Sequence, residues 1–394
     1  MNRNIDYHRK VNSYFFSPLG IKKKASKRNI VSQQAPRQTS LVVHQLRPET
    51  SDISQSINKN SFSYLYPIGR GGFGKVWKVE MKRAKELYAM KEMQKLRVIS
   101  KRSVHSVMNE RKILEVLNHP FIVNMHFAFQ DRENLFLVLD LKNGGDLRFH
   151  ISKARKFTEI QAKFLIACIL YGLNYIHSNG ILHRDIKPEN LVFDERGYLY
   201  ITDFGIGRVW TPENSKDTSG TPGYMAPEVI FRQNHGISAD YFAVGVILYE
   251  LMMGRRPYIG RDRKEIRDHI ISKQARVVEI PSGWSEEAAD FINKLIQRKA
   301  NYRLGNKGFG EVKEHPWLKD FPWKDLGDMV LSAPFIPKSQ DNFDPRTLGD
   351  WKDEIDPSID LAASQDLFVG YSYDERVFCE TKPAGHKKSF SSVQ

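Results

Sequence analysis

Residues 183–190 read His-Arg-Asp-Ile-Lys-Pro-Glu-Asn, and Asp203-Phe204-Gly205 follows shortly after. This pair of motifs constrains the chain more than any other feature, because it concentrates one chemistry in a short loop. Phosphoryl transfer needs a carboxylate facing the acceptor hydroxyl, oxygen ligands for Mg²⁺ and a cation on the moving phosphate. Asp185 can serve as the carboxylate, Asn190 and Asp203 as the hard oxygen ligands that Mg²⁺ prefers, and Lys187 as the cation. A stray Asp in a loop is ordinarily a turn former. Three such oxygens at these spacings point instead to a site.

The upstream residues fit a nucleotide site. Residues 64–68 alternate, residues 76–79 and 87–91 read as strands, and Gly69-Arg70-Gly71-Gly72-Phe73-Gly74 joins the first two. A dinucleotide-binding turn shares this glycine spacing but opens a helix. Here Val76 begins a strand, which favours a flap over ATP phosphates, with glycines letting backbone N–H groups approach. Phe73 is expected at the tip, shielding the site from water. Lys91 ends the next strand, and alone it would be read as solvent-facing. Residues 104–117 then have helical spacing and carry Glu110, with Leu114 on the same face. A Lys91–Glu110 pair would orient the ammonium onto the α- and β-phosphates.

Residues 135–141 form another apolar strand, apart from Asp140. Beyond Gly144-Gly145 the pattern is mainly helical, over 160–178, 238–254 and 285–298. The apolar run 241–254 is shorter than the ~20 residues a bilayer requires, and Glu250 interrupts it, so a buried helix is expected. The class is therefore α+β. A small β-rich lobe (64–141) with one helix precedes a larger helical lobe (142–317), and the ligand cleft lies in the seam.

Residues 1–63 form a basic extension expected to be disordered. Residues 1–60 carry eleven Lys and Arg against three acids, so eight of the +14 net charge sits there. The cluster at 21–28 reads as a solvated tail, with a nuclear signal or a patch for anionic membrane as alternatives. Tyr14-Phe15-Phe16 is its one apolar knot. The remainder is only mildly basic, which argues against nucleic acid as a partner. Two cysteines, Cys168 and Cys379, cannot build a disulfide framework. Residues 1–10 lack a signal-like apolar stretch, and Asn2 breaks the myristoylation pattern. An intracellular location is expected, cytoplasmic first, with nucleus or membrane surface as alternatives.

From Tyr64 to about Trp317 these motifs resemble the eukaryotic protein kinases. The resemblance implies a bilobal fold, with ATP and Mg²⁺ as cofactors. It implies a nucleotide site built from Ile68, residues 69–74, Val76, Ala89, Lys91, Leu139, Asp140, Leu141, Asp146 and Val192, with Leu147 beside Val192 below the adenine. Leu139 falls at the gatekeeper position, and Asp140, Leu141 and Lys142 form the hinge. Leu114, Met125, His183 and Phe204 match the stacked apolar spine. Asp240 should hold the catalytic loop, and Glu228, closing the activation segment, should pair with Arg303. Lys187-Pro188-Glu189-Asn190 and Thr221 resemble serine/threonine kinases, with Thr221 bonding Asp185 and Lys187. Asp146, Glu189 and Glu250 match acidic positions that bind substrate arginines, so protein substrates with basic residues near Ser or Thr are implied.

The last part, 318–394, resembles the AGC-group tail in Pro334-Phe335-Ile336-Pro337, Asn342-Phe343-Asp344 and Phe368-Val369-Gly370-Tyr371-Ser372-Tyr373. Phe129-Gln130-Asp131 and Gly144-Gly145-Asp146-Leu147-Arg148 look like the YANK branch. The tail is expected to clamp beside the 104–117 helix through Phe368 and Tyr371, with Ser372 as a modification site. Arg184 and Arg208 should face the activation loop as a basic pocket. Counting back from Gly220, the usual phosphorylatable Thr falls on Asp217, beside Thr218. Either Asp217 is a resident anion, or a one-residue shift makes Thr218 the switch for an upstream kinase, with Ser372 as the other position for such a kinase. A scaffold lacking activity would be expected to lose Lys91, Asp185 or Asp203, and all three are present. A small-molecule kinase would not need the 220–228 peptide platform.

Overall fold

The computed structural model describes residues 56–338, 356 and 358–377. Five antiparallel strands build the first lobe: β1 (Phe62–Arg70), β2 (Gly74–Met81), β3 (Leu87–Gln94), β4 (Met125–Gln130) and β5 (Asn134–Asp140). They pair in the order β1-β2-β3-β5-β4. Two helices, α1 (Lys95–Ser100) and α2 (Val104–Val116), lie between β3 and β4. The uninterrupted apolar character of β5 follows from burial on both faces. Leu135, Leu137 and Leu139 join the main core with Val107, Ile113 and Leu114 of α2. Phe136 and Val138, pointing the opposite way, meet Phe62, Tyr88, Phe127 and Phe129.

Phe62 corrects the expected boundary at 63/64. Its side chain is buried and stacks on Phe129 at 6.1 Å, and Asn58 caps the turn before it. The lobe therefore begins at least two residues earlier. β3 also continues past Lys91 to Gln94, because its backbone stays paired to β5 as far as Gln94↔Asn134. Tyr14-Phe15-Phe16, the 21–28 cluster, Asn342-Phe343-Asp344 and Cys379 lie outside the described residues.

The second lobe is helical: α3 (Leu147–Ala154), α4 (Glu159–Ser178), α5 (Pro227–Ile230), α6 (Ser238–Met253), α7 (Arg263–Ser272) and α8 (Glu286–Leu295). Thr158 and Gln161 form a reciprocal capping box that starts α4. Between α4 and α5, short strands frame the motif loops. β6 (Ile181–Leu182) pairs β9 (Arg208–Val209), and β7 (Leu191–Phe193) pairs β8 (Leu199–Ile201). α6 is buried almost all round, as its apolar run requires, and Gly254 ends it at φ 71° in the left-handed region. Among the described residues no helix is long and apolar enough to cross a membrane. A last strand, β10 (Tyr373–Asp374), pairs Ala128 and Phe127 of β4 and covers that sheet edge.

Candidate active site

The glycine turn sits between β1 and β2, over β3. At Gly74 a Cβ would lie 1.6 Å from the Glu92 carbonyl oxygen, so only glycine lets the strands approach there. Gly72 has open space around it, and the Gly71 N–H donates to the Gly74 carbonyl at 2.8 Å. Phe73 stands in the turn and is anchored there. Its carbonyl accepts from the Gln94 N–H at 3.1 Å, and its ring packs against the main core.

Lys91 Nζ donates to both Glu110 oxygens, at 2.8 and 3.0 Å. Burial pulls the Lys91 ammonium down, but Glu110 and Asp203 outweigh it and hold the group charged. The catalytic loop is fixed from below by Asp240, which opens α6. Asp240 accepts from the His183 N–H at 3.0 Å and the Arg184 N–H at 2.8 Å, and it meets His177 Nε2 at 2.8 Å. Arg184 and Asp203 have φ of 67° and 65°. Such positions cost about 1–3 kcal/mol each and persist only where the surroundings over-determine them.

Around Asp185 the contacts close on one another. Lys187 Nζ lies 2.5 Å from Asp185 Oδ2 and donates to Thr221 Oγ1 at 2.9 Å. Thr221 Oγ1 donates to Asp185 Oδ1 at 2.7 Å. Asn190 Nδ2 donates to the Asp185 carbonyl at 3.0 Å and to its Oδ2 at 3.2 Å. That orientation leaves Asn190 Oδ1 without a hydrogen-bond partner among the described residues. Asp203 Oδ2 is likewise unbonded, while Oδ1 accepts from the Gly205 N–H at 3.2 Å. Burial raises the Asp203 carboxyl, but Lys91 and neighbouring charges bring it below its ordinary value. Two hard oxygens with open valence suit Mg²⁺. Along the strands Val76 pairs Lys91 and Ala89 pairs Leu139, and Val192 bridges to Asp146. Phe204 meets His183 edge-on at 5.0 Å, within the core that also holds Leu114 and Met125.

Residues 62–318 match the protein kinase domain. The chain belongs to the protein kinase family. It is 36% identical to serine/threonine-protein kinase sgk-1 of Caenorhabditis elegans over 330 residues, 82% of this chain and 70% of that protein. It is 33% identical to Sgk1 of Homo sapiens over 331 residues, 80% and 76% of the two chains. Protein kinase 2 of Dictyostelium discoideum is 38% identical over 291 residues, 74% of this chain and 60% of that one. The chain is thus a protein serine/threonine kinase, in a family that uses ATP and Mg²⁺.

In this kinase Asp217 of the activation segment meets the expected basic pocket. Arg184 Nη1 lies 3.2 Å from Asp217 Oδ2, and its Nε donates to the Ile206 carbonyl at 2.8 Å. Arg208 is close by. Burial and then the Arg184 charge pull its guanidinium down, and Asp217 pushes it back up. Thr218 is turned elsewhere, its hydroxyl donating to the Val229 carbonyl at 3.4 Å. The Glu228–Arg303 pair is fully buried, at 2.5 and 2.9 Å.

The three acids matched to substrate recognition differ in their surroundings. Asp146 caps α3, its Oδ1 accepting from the Phe149 N–H at 2.7 Å. Glu189 and Glu250 both pair with Arg148, at 2.9 and 2.8 Å. Glu250 is buried, and both its oxygens have partners within the chain. The expectation that Glu250 stands open to a substrate is therefore corrected. The sequence offers the acid but cannot show which cation folds against it.

The tail motif lies beside α2. Phe368 and Tyr371 are completely buried. Arg111, next to Glu110, donates from Nε to the Tyr371 carbonyl at 3.0 Å and from Nη2 to the Ser372 carbonyl at 2.8 Å. Gln130 donates to the Phe368 carbonyl at 3.0 Å, and Lys95 Nζ stands 5.2 Å from the Phe368 ring centre. Phe335 of the earlier tail element packs on Phe157 and Phe193. His126 on β4 joins Asp140 of the hinge to Glu375 of the tail, at 2.8 and 2.7 Å. Burial opposes its protonation, but the two carboxylates raise it to about 9. Sequence reasoning missed the parts played by Arg111, His126 and Arg148. Cys168 is a buried thiol pushed up to about 12 by desolvation.

Proposed function

We propose that this serine/threonine kinase transfers the γ-phosphoryl group of ATP to protein Ser or Thr through the cluster of Asp185, Lys187, Thr221, Asn190 and Asp203. The observation that carries the reading is the closed set of contacts around Asp185, coexisting with an intact Lys91–Glu110 pair. Asp203 and Asn190 would hold Mg²⁺, which would supply positive charge against the phosphates. Lys91 positions the α- and β-phosphates, with Glu110 fixing its direction. Asp185 orients the acceptor hydroxyl and takes its proton. Lys187 meets the charge that develops on the transferring group, and Thr221 ties both to the peptide platform. Hinge backbone at Asp140, Leu141 and Lys142 reads the adenine edge, with Ile68, Arg70, Val76, Ala89, Leu139 and Val192 around it.

Substrate preference in this reading is for a basic residue N-terminal to the acceptor, taken by Asp146 and the outer oxygen of Glu189. Asp217 supplies the anion that orders the activation loop, and Ser372 is a modification site on the tail clamp. The motifs at 129–131 and 144–148 favour the YANK branch of the AGC group. An intracellular setting fits these roles, with the basic charge of residues 1–60 available for weak contact with an anionic membrane. A Ser/Thr/Tyr peptide panel with ATP and Mg²⁺, run beside Lys91→Met, tests the core of the proposal. Phosphate on Ser or Thr that vanishes in the variant is expected. Transfer to Tyr alone, or transfer unaffected by the substitution, would overturn it.

A further inference from the structure

The Arg148 guanidinium is unusually well provided with partners. Its Nε donates to Glu189 Oε1 at 2.9 Å, and its Nη1 and Nη2 fork onto Glu250 at 2.8 and 3.1 Å. Nη2 also contacts the Tyr224 hydroxyl, which itself donates to Glu250 Oε2 at 3.1 Å. Tyr224 lies three residues after Thr221, whose hydroxyl bonds Asp185, so this cluster adjoins the acceptor platform. A second cation, Arg256, stands 6.0 Å from the centre of the Tyr224 ring. Arg256 also reaches to 3.0 Å of where a Cβ on Gly223 would be.

Two acids placed this way present the paired acceptor oxygens onto which an incoming substrate arginine would fork. Here that geometry is already satisfied from within. Glu250 has only 7% of its side chain exposed and both its oxygens are committed. A competing arginine would have to displace Arg148 and leave a partly buried cation without its partners, which is strongly unfavourable. Glu189, by contrast, is 45% exposed and uses one oxygen for Arg148.

We propose that Arg148 is a built-in occupant of the deep acidic subsite formed by Glu250 and the inner side of Glu189. Substrate arginine is thereby excluded from that subsite. Selection for basic residues is confined to one shallow position, at Asp146 and the outer oxygen of Glu189. Arg148 is thus a specificity-determining residue, and the preferred substrate carries one N-terminal basic residue with a neutral residue at the deep position. This inference rests on the proposed peptide-phosphorylating site.

The test is a positional-scanning Ser/Thr peptide library phosphorylated by the full chain, with Arg148→Ala and Arg148→Met compared with wild type. Melting temperature and the rate on arginine-free peptides report whether each variant is folded. Wild type is expected to select arginine at no more than one N-terminal register. A folded Arg148 variant is expected to gain a second register by about tenfold, the worth of a charge-assisted hydrogen bond. Arg148→Ala combined with Glu250→Gln should lose that gain. Arginine selection at two registers by wild type would overturn the inference, whether or not the variants fold. So would a folded variant that gains none. Wild type selecting no basic residue anywhere, with a variant gaining one, would uphold this inference and sink the basic preference instead.

Discussion

Replacing Phe368 by Ala should undo the tail clamp and weaken catalysis from a distance. The ring is completely buried, capped by the Lys95 ammonium, and its carbonyl is held by Gln130. Truncating a buried Phe typically costs 3–5 kcal/mol where the cavity must persist. A tail can leave instead, so the loss stops at its docking free energy, and the burial term of about 1.5–3 kcal/mol is the better guide. Such a loss lowers the docked-to-undocked ratio roughly 10- to 150-fold. Undocking removes the Tyr371 and Ser372 carbonyls from Arg111, whose neighbour Glu110 holds Lys91. α2 is then free to swing, and the phosphate-positioning pair is lost for part of the time. Peptide kcat/KM should fall about tenfold or more, with a lower melting temperature. A synthetic peptide spanning residues 364–377, added in trans, should restore part of the activity. Unchanged kcat/KM and melting temperature in Phe368→Ala would refute the coupling between tail and site.

Asp217→Asn should lower the activity of enzyme made in bacteria, while Thr218→Ala should change little; phosphopeptide mapping with rate measurements checks both, and the reverse result would make Thr218 the switch. Glu228→Gln breaks a fully buried pair with Arg303 and should cost on the order of 3–5 kcal/mol, read by denaturant unfolding. His126 is raised from its ordinary 6.5 to about 9, so its stabilising contribution is complete below 6.5 and lost as pH rises through 9. The melting-temperature gap between wild type and His126→Gln should accordingly shrink from pH 6.5 to 9.5. A constant gap would mean that its bonds to Asp140 and Glu375 carry no net charge linkage.

What the sequence revealed was local chemistry in short, rigid spacings. Asp185, Lys187 and Asn190 lie within six residues, so their loop must bring them together, and Lys91 with Glu110 follows from one strand and one helix. The apolar run of α6 exposed its burial because length and hydropathy decide it. Arg148 was visible only as a branch marker, because its meaning depends on Glu250, about a hundred residues away on α6. His126 and Arg111 were hidden for the same reason: both are polar residues whose partners arrive from the tail. Phe62 escaped because its aromatic neighbours come from β3 and β4.

The most direct test is single-turnover phosphoryl transfer by full-length, phosphatase-treated chain made in bacteria, with Mg²⁺ and radiolabelled ATP, beside Asp203→Ala. Wild type should place label on Ser or Thr of the peptide without prior phosphorylation, and Asp203→Ala should be slower by about a hundredfold or more. An Asp203→Ala chain as fast as wild type would contradict the site proposed around Asp185 and Asp203, and a folded wild type that transfers nothing until Thr218 is phosphorylated would contradict the resident-anion role of Asp217.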